Sequence, residues 1–219
     1  MGTLGLRGSI EEAEPDGLAP AIAGSAAAAG ARVELISKAG DEPAGDAVLL
    51  ALARAGVGHV ATLRDPSRLT PVRARPDEPS DPAVEAVTEP PTEAADPDDP
   101  SAIDEGARPA ALRPTLDAAD VSLALRYLTD FEVLVAVHPS SELLAEAVSA
   151  AGWAGARLVV VVEPEGDVPA GVPAEALVVA AAVDDVDGVG ARIGRYAAAL
   201  SRGDDAAAAY RDLTAVQTT

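Results

Sequence analysis

Three groups of residues in this 219-residue chain have the types and spacing to do chemistry. The last of them is Asp187-Gly188-Val189-Gly190-Ala191, which runs into a long helical pattern. Glycines at a helix start let backbone N–H groups approach an anion, and the helix dipole favours negative charge there. Gly188 and Gly190 could therefore meet an anion, and their plainer reading is a flexible strand-to-helix turn. Asp184, Asp185 and Asp187 beside them could take a proton from a hydroxyl or hold a hard cation, though their plainer reading is a charged loop end. Gly188-x-Gly190-x-x-x-Gly194 could also be called a dinucleotide fingerprint, but it lies late in the chain and lacks the strand context and downstream acid that give such a pattern meaning.

The second group is Gly40-Asp41 with Gly45. Asp41 reads from its setting as a turn or cap residue ahead of the helix that opens near Gly45. The third group consists of isolated residues. Lys38 is the only lysine, which a preference for Arg over Lys explains as well as any function. His59 and His138 stand alone at strand edges, so neither a metal pair nor a catalytic dyad is expected. Trp153 is expected to pack a helix end.

The elements that would position these residues follow from periodicity and punctuation. An alanine-rich helix over about Ile22 to Ala29 stops at Gly30, and a second helix from about Gly45 to Ala55 stops at Gly56. Glycine at each exit supplies the left-handed conformation that other residues adopt only with strain. Val33 to Ser37 and Val57 to Thr62 read as strands, with a turn over Lys38 to Pro43. Arg64 to Ser67 reads as a turn and Leu69 to Val72 as a short edge strand, because Pro71 has no N–H for a ladder. Thr3 to Leu6 is a further short edge strand by composition. Later come a helix over about Leu116 to Leu128, with Asp117 near its start, and a buried strand Val133 to Val137. A turn at His138 to Ser141 supplies a serine N-cap for a helix over about Glu142 to Ala151. Arg157 to Val162 is apolar on both faces, as in parallel sheets. A short strand at Ala176 to Ala180 precedes helices over Val186 to Leu200 and Asp204 to Val216. Alternating strands and helices predict an α/β fold with a mostly parallel sheet between helical layers.

The series Gly40-Asp41, Gly45, Leu49-Leu50, Leu52 and Gly56-Val57 resembles the N-terminal pattern of the ribokinase-like, or PfkB, carbohydrate kinases. Gly24, Ser25 and the Ala-Ala-Ala-Gly-Ala-Arg run occupy the place of that family's sugar-site helix, and the helix–strand order after Leu116 is also similar. The resemblance implies a three-layer α/β/α ribokinase-like fold. It implies substrate contacts at Gly24, Ser25, Gly40, Asp41 and Gly45, and a phosphate cradle at Gly188 and Gly190. A working member would use ATP and magnesium, with an Asp behind the cradle taking the proton from a sugar hydroxyl. Here Ala191 stands in that position. The chain contains no Asn, so the family's Asn-x-x-Glu motif and the Asn of its sugar-site helix are both missing.

Arg73 to Ala110 holds eight prolines and eleven acidic residues. Such a stretch buries too little apolar surface to offset the entropy of ordering it, so a disordered loop is expected where the family carries its lid. The chain is then one domain over residues 1–219, interrupted at about 73–110. The net charge of −20 argues against nucleic acid and anionic membranes as partners. Absence of cysteine excludes disulfides and thiolate chemistry, and a cytoplasmic protein is the default. The leading expectation is a degenerate PfkB-like protein without phosphotransfer and without a catalytic residue, retaining weak sugar or nucleotide binding. The alternatives are an active carbohydrate kinase, with Asp184, Asp185 or Asp187 as displaced base, and a non-catalytic structural or regulatory subunit that forms a homodimer.

Overall fold

The computed structural model describes residues 14–73, 113–181 and 185–214. The expected strand at Thr3 to Leu6, nearly all of the acidic Pro-rich stretch, and Asp184 lie outside the described residues. The chain folds as mixed α/β structure with short sheets, and among the described residues every pairing between named strands is parallel. In chain order the elements are α1 (Leu18–Ala28), β1 (Val33–Glu34), β2 (Ser37–Gly40), α2 (Pro43–Arg54), β3 (Val57–Gly58), β4 (Thr62–Asp65), α3 (Ala118–Tyr127), β5 (Val133–Val137), α4 (Ser141–Ala154), β6 (Arg157–Val162), β7 (Leu177–Ala180), α5 (Val186–Ser201) and α6 (Ala206–Thr214).

The strands form three sheets rather than one: β1 with β3, β2 with β4, and β5-β6-β7. The first two are one interrupted pairing. Val33 faces Val57 and Ser37 faces Thr62, so the second segment carries one residue more than the first between those pairs. The extra residue is taken up at His59–Ala61, where the Thr62 N–H donates back to the His59 carbonyl at 2.9 Å. A bulge of this kind bends the strand and breaks the ladder. It also corrects two expectations. Lys38 to Gly40 are strand, not turn, and so are Arg64 and Asp65, because the partner across the ladder is there to pair them. The expected edge strand at Leu69 to Val72 reduces to a single antiparallel bridge between Pro15 and Val72.

β6 shows why its sequence is apolar without alternation. Val159 and Val161 face a core built with Leu18 and Ile22 of α1, Ile193 and Leu200 of α5, and Leu213 of α6. Leu158, Val160 and Val162 face a second core with Leu144, Ala147 and Ala151 of α4. Both faces are buried, so both sets must be apolar. The first helix and the last two therefore share a core with the central strand. A third cluster joins Ala23 of α1, Leu35 just after β1, Val48 and Leu52 of α2, and Val57 of β3.

Local signals set the helix ends. Pro43 opens α2 at a position where its missing N–H costs nothing. Ser140 caps α4, accepting the Leu143 N–H at 3.3 Å, and Gly155 ends it at φ 64°. Among the described residues, no helix is long and apolar enough to cross a membrane.

Candidate functional site

The turn from β2 into α2 carries Gly40, Asp41 and Gly45, and it is filled by the protein's own groups. The Gly40 N–H donates to Thr70 Oγ1 at 2.8 Å, and the Gly40 carbonyl accepts from Arg64 at 2.7 Å. Arg64 also pairs with Asp46 in the first turn of α2. The Thr70 N–H donates to Glu42 Oε1 at 2.5 Å. Glu42 Oε2 is buried without a hydrogen-bond partner among the described residues. A Cβ added at Gly40 would run into Glu42 Oε2 and the Arg68 carbonyl, and one at Gly45 into the Gly40 carbonyl and Arg64. Both glycines are thus demanded by close packing. Asp41 stands exposed beside this network, with no hydrogen bond or ion pair among the described residues.

Lys38, inside β2, reaches a different element. Its Nζ lies 2.5 Å from Asp120 Oδ2, with the two side chains 16% and 18% exposed. Asp120 is the third residue of α3, and it closes a capping box there. Its Oδ2 accepts the Asp117 N–H at 3.0 Å while Asp117 Oδ1 accepts the Asp120 N–H at 2.8 Å. The hydrogen bond to Asp120 raises the Lys38 ammonium above its ordinary value against the opposing effect of burial, with further help from the charges of Asp120, Asp117 and Asp65. Burial pushes the Asp120 carboxyl up, but hydrogen bonds from Lys38 and the Asp117 N–H, with the lysine's charge, hold it below its ordinary value. Asp65, at the end of β4, is also lowered, because the Ser67 hydroxyl and N–H both donate to it, at 2.7 and 2.9 Å.

The α5 start is where a phosphate cradle was expected. Asp185 caps the helix, its carboxylate accepting the Gly188 N–H at 3.1 Å. That donor is therefore turned toward the chain's own acid. Gly190 and Gly194 are four residues apart and so share one face of α5, and that face lies on α1. A Cβ at Gly190 would stand 2.7 Å from Ala21 Cβ; one at Gly194 would stand 2.6 Å from both the Ile22 carbonyl oxygen and Ser25 Cβ. Small residues here let two helix backbones approach more closely than larger side chains allow. Asp187 is 78% exposed and accepts from Arg73 at 2.9 and 3.0 Å. The same hydrogen bonds raise the Arg73 guanidinium, burial opposing them.

The structure thus brings Gly40 and Gly45 together, and puts Ser25 in contact range of Gly194 on the α1–α5 seam. Gly24, its neighbour on α1, has nothing within 4 Å of an added Cβ. His59 sits in the bulge with Nδ1 buried and unpartnered among the described residues. His138 is exposed at φ 45° after β5. Trp153 is 91% exposed on α4, so the expectation that it packs a helix end is corrected. α4 packs on the sheet through Leu144, Ala147 and Ala151 instead. Sequence reasoning missed Glu42, Arg64, Thr70 and Asp120. Only Asp120 had a local signal, the Asp117-x-x-Asp120 spacing of a capping box. Among the described residues, no group of three or more His, Cys, Asp or Glu is arranged to hold a metal ion. No protein-family model matches the chain, and no curated protein matches it.

Proposed function

We propose that this chain is a degenerate relative of the PfkB carbohydrate kinases, with a three-layer ribokinase-like architecture, that does not transfer phosphate. The observation that carries the absence of phosphotransfer is the contact of Gly190 with α1. In a working cradle Gly188 and Gly190 would leave room for a phosphate. Here the room beside Gly190 belongs to Ala21 and Ile22, and the Gly188 N–H is turned to Asp185.

The acids nearby support the same reading. A general base must lie within hydrogen-bond reach of the hydroxyl it activates. Asp185 is engaged with the Gly188 N–H and lies 3.6 Å from Arg192, and Asp187 is held by Arg73. The Gly40 turn, the family's sugar-facing element, is closed by Glu42, Arg64 and Thr70. The exposed Asp41 is the group left there to meet a sugar. What remains is a binding or regulatory protein, and a cytoplasmic setting goes with it.

The test is ATP consumption with magnesium across a panel of sugars, with thermal unfolding followed in parallel. The expected result is no turnover. Magnesium-dependent turnover that Asp187→Asn or Asp185→Asn abolishes would overturn the proposal.

A further inference from the structure

α3 and α4 lie side by side. α3 leads into β5 and α4 into β6, and those strands pair in parallel. The two helices therefore run the same way, with their C-terminal ends toward the same edge of the sheet. Each buries one side: Val121 and Ala124 on α3, and Leu144, Ala147 and Ala151 on α4. The opposite sides face solvent. They carry Leu123, Arg126 and Tyr127 on α3, and Glu142, Glu146 and Trp153 on α4.

Two features set this face apart from an ordinary solvated surface. The first is aromatic. Trp153 is 91% exposed and Tyr127 75%, in a chain with one Trp, three Tyr and one Phe. Trp and Tyr concentrate where association buries them, and their N–H and O–H then need acceptors. The second feature is the sorting of charge. Arg126 stands at the C-terminal end of the face with Tyr127 and Trp153. Glu142 and Glu146 stand in the N-terminal half of α4. None of these three charges has a hydrogen bond or ion pair among the described residues. One end of the face thus offers donors and a cation, and the other offers acceptors.

We propose that α3 and α4 form a two-fold interface with a second copy of this chain, in which Arg126 and Trp153 meet the partner's Glu142 and the partner's Glu146. A two-fold contact uses the same patch on both copies, so the patch must complement itself. This one does when the two copies lie antiparallel, since each donor end then covers an acceptor end. A face that carries both halves of the complement needs no other molecule to supply either. The patch is about 21 Å long, from the 14 residues of α4, and about 20 Å wide. That is the small end of specific interfaces and sets an association in the micromolar range. The interface shares no residue with the Gly40 turn or the α5 start, and it does not depend on the non-kinase reading.

Sedimentation velocity of the full chain between about 1 and 500 μM tests it. A monomer–dimer equilibrium is expected, with the emission of the single Trp moving to the blue as dimer forms. Trp153→Ala should weaken association about tenfold or more while leaving the unfolding midpoint in place. Glu142 and Arg126 also suit the dipoles of their own helices, so a cross-pairing separates the two roles. Neither Arg126→Glu nor the double variant Glu142→Lys with Glu146→Lys should dimerise alone, because each would face like charge. An equimolar mixture of the two should dimerise, because every contact then joins opposite charges. A parent chain that stays monomeric throughout, full dimerisation by Trp153→Ala, or a monomeric mixture of variants that keep the parent's circular dichroism would each overturn the assignment. Trp153→Ala decides the matter if either charge variant unfolds. None of these results bears on ATP turnover, so failure here and failure of the non-kinase reading are separable.

Discussion

Lys38 Nζ and Asp120 Oδ2 are 2.5 Å apart, and the same carboxylate oxygen accepts the Asp117 N–H at 3.0 Å. One carboxylate thus completes the first turn of α3 and fastens that helix to β2. Breaking a fully buried ion pair from one side costs about 3–5 kcal/mol. This pair keeps some exposure, so Lys38→Met is expected to cost about 2 kcal/mol, within the range for hydrogen bonds to charged groups. Asp120→Ala should cost more, because it also opens the capping box, and Asp120→Asn less, because an amide oxygen can still accept the Asp117 N–H. Urea unfolding of the three variants gives the order directly.

The same pair sets a pH dependence with two edges. Asp120 is held below its ordinary 3.8 in the folded chain, so its contribution is present above that value and is lost as pH falls below it. Lys38 is held above its ordinary 10.5, so its contribution is complete below that value and is lost as pH rises past it. The stability difference between the parent chain and Lys38→Met should therefore be flat across neutral pH. It should shrink below 3.8 and above 10.5. A difference that changed between about pH 5 and 8, where histidine titrates, would point to a different partner.

Two glycines of helical pattern should respond to alanine with opposite signs. Gly24→Ala places a Cβ with nothing within 4 Å, in the interior of α1, and should stabilise by about 0.5–1 kcal/mol through helix propensity. Gly194→Ala places one 2.6 Å from the Ile22 carbonyl and 2.8 Å from the Ala26 nitrogen. Backbone cannot yield as a flexible side chain would, so the helices must move apart, at a net cost of about 1–3 kcal/mol. Thermal unfolding of the two variants side by side provides the comparison.

Gly40→Ala should be among the most damaging single changes in the turn. The new methyl meets both Glu42 Oε2 and the Arg68 carbonyl. Pushing Glu42 aside would also release the Thr70 N–H it holds. A loss of about 2–3 kcal/mol is expected, measured by chemical denaturation. Glu42→Ala in the same background should recover little of it, because the Arg68 carbonyl remains in the way.

Much of the fold was legible where burial alone dictates the pattern. Val133–Val137 and Arg157–Val162 are strands with the expected bounds, since a strand covered on both faces must be apolar throughout. A serine cap marks the start of α4 for a local reason that needs no partner, whereas the helix runs past the expected Ala151 to Ala154 and ends at Gly155. The β2 segment was not legible. Lys38-Ala39-Gly40 has turn composition, and it becomes strand only because Thr62–Asp65 lies alongside it. The bulge at His59–Ala61 depends on that same pairing and leaves no composition signature.

Local chemistry along the chain determined where helices end, which strands are buried, and that the surface is strongly acidic. These properties depend on a residue and its near neighbours. What Gly40, Gly190 and Gly194 face was decided only in three dimensions. A glycine that admits a ligand and a glycine that admits another helix are the same letter, and the difference is the neighbour that folding delivers. The partner of the single lysine rests on the packing of elements far apart in sequence. No spacing rule reaches across that separation.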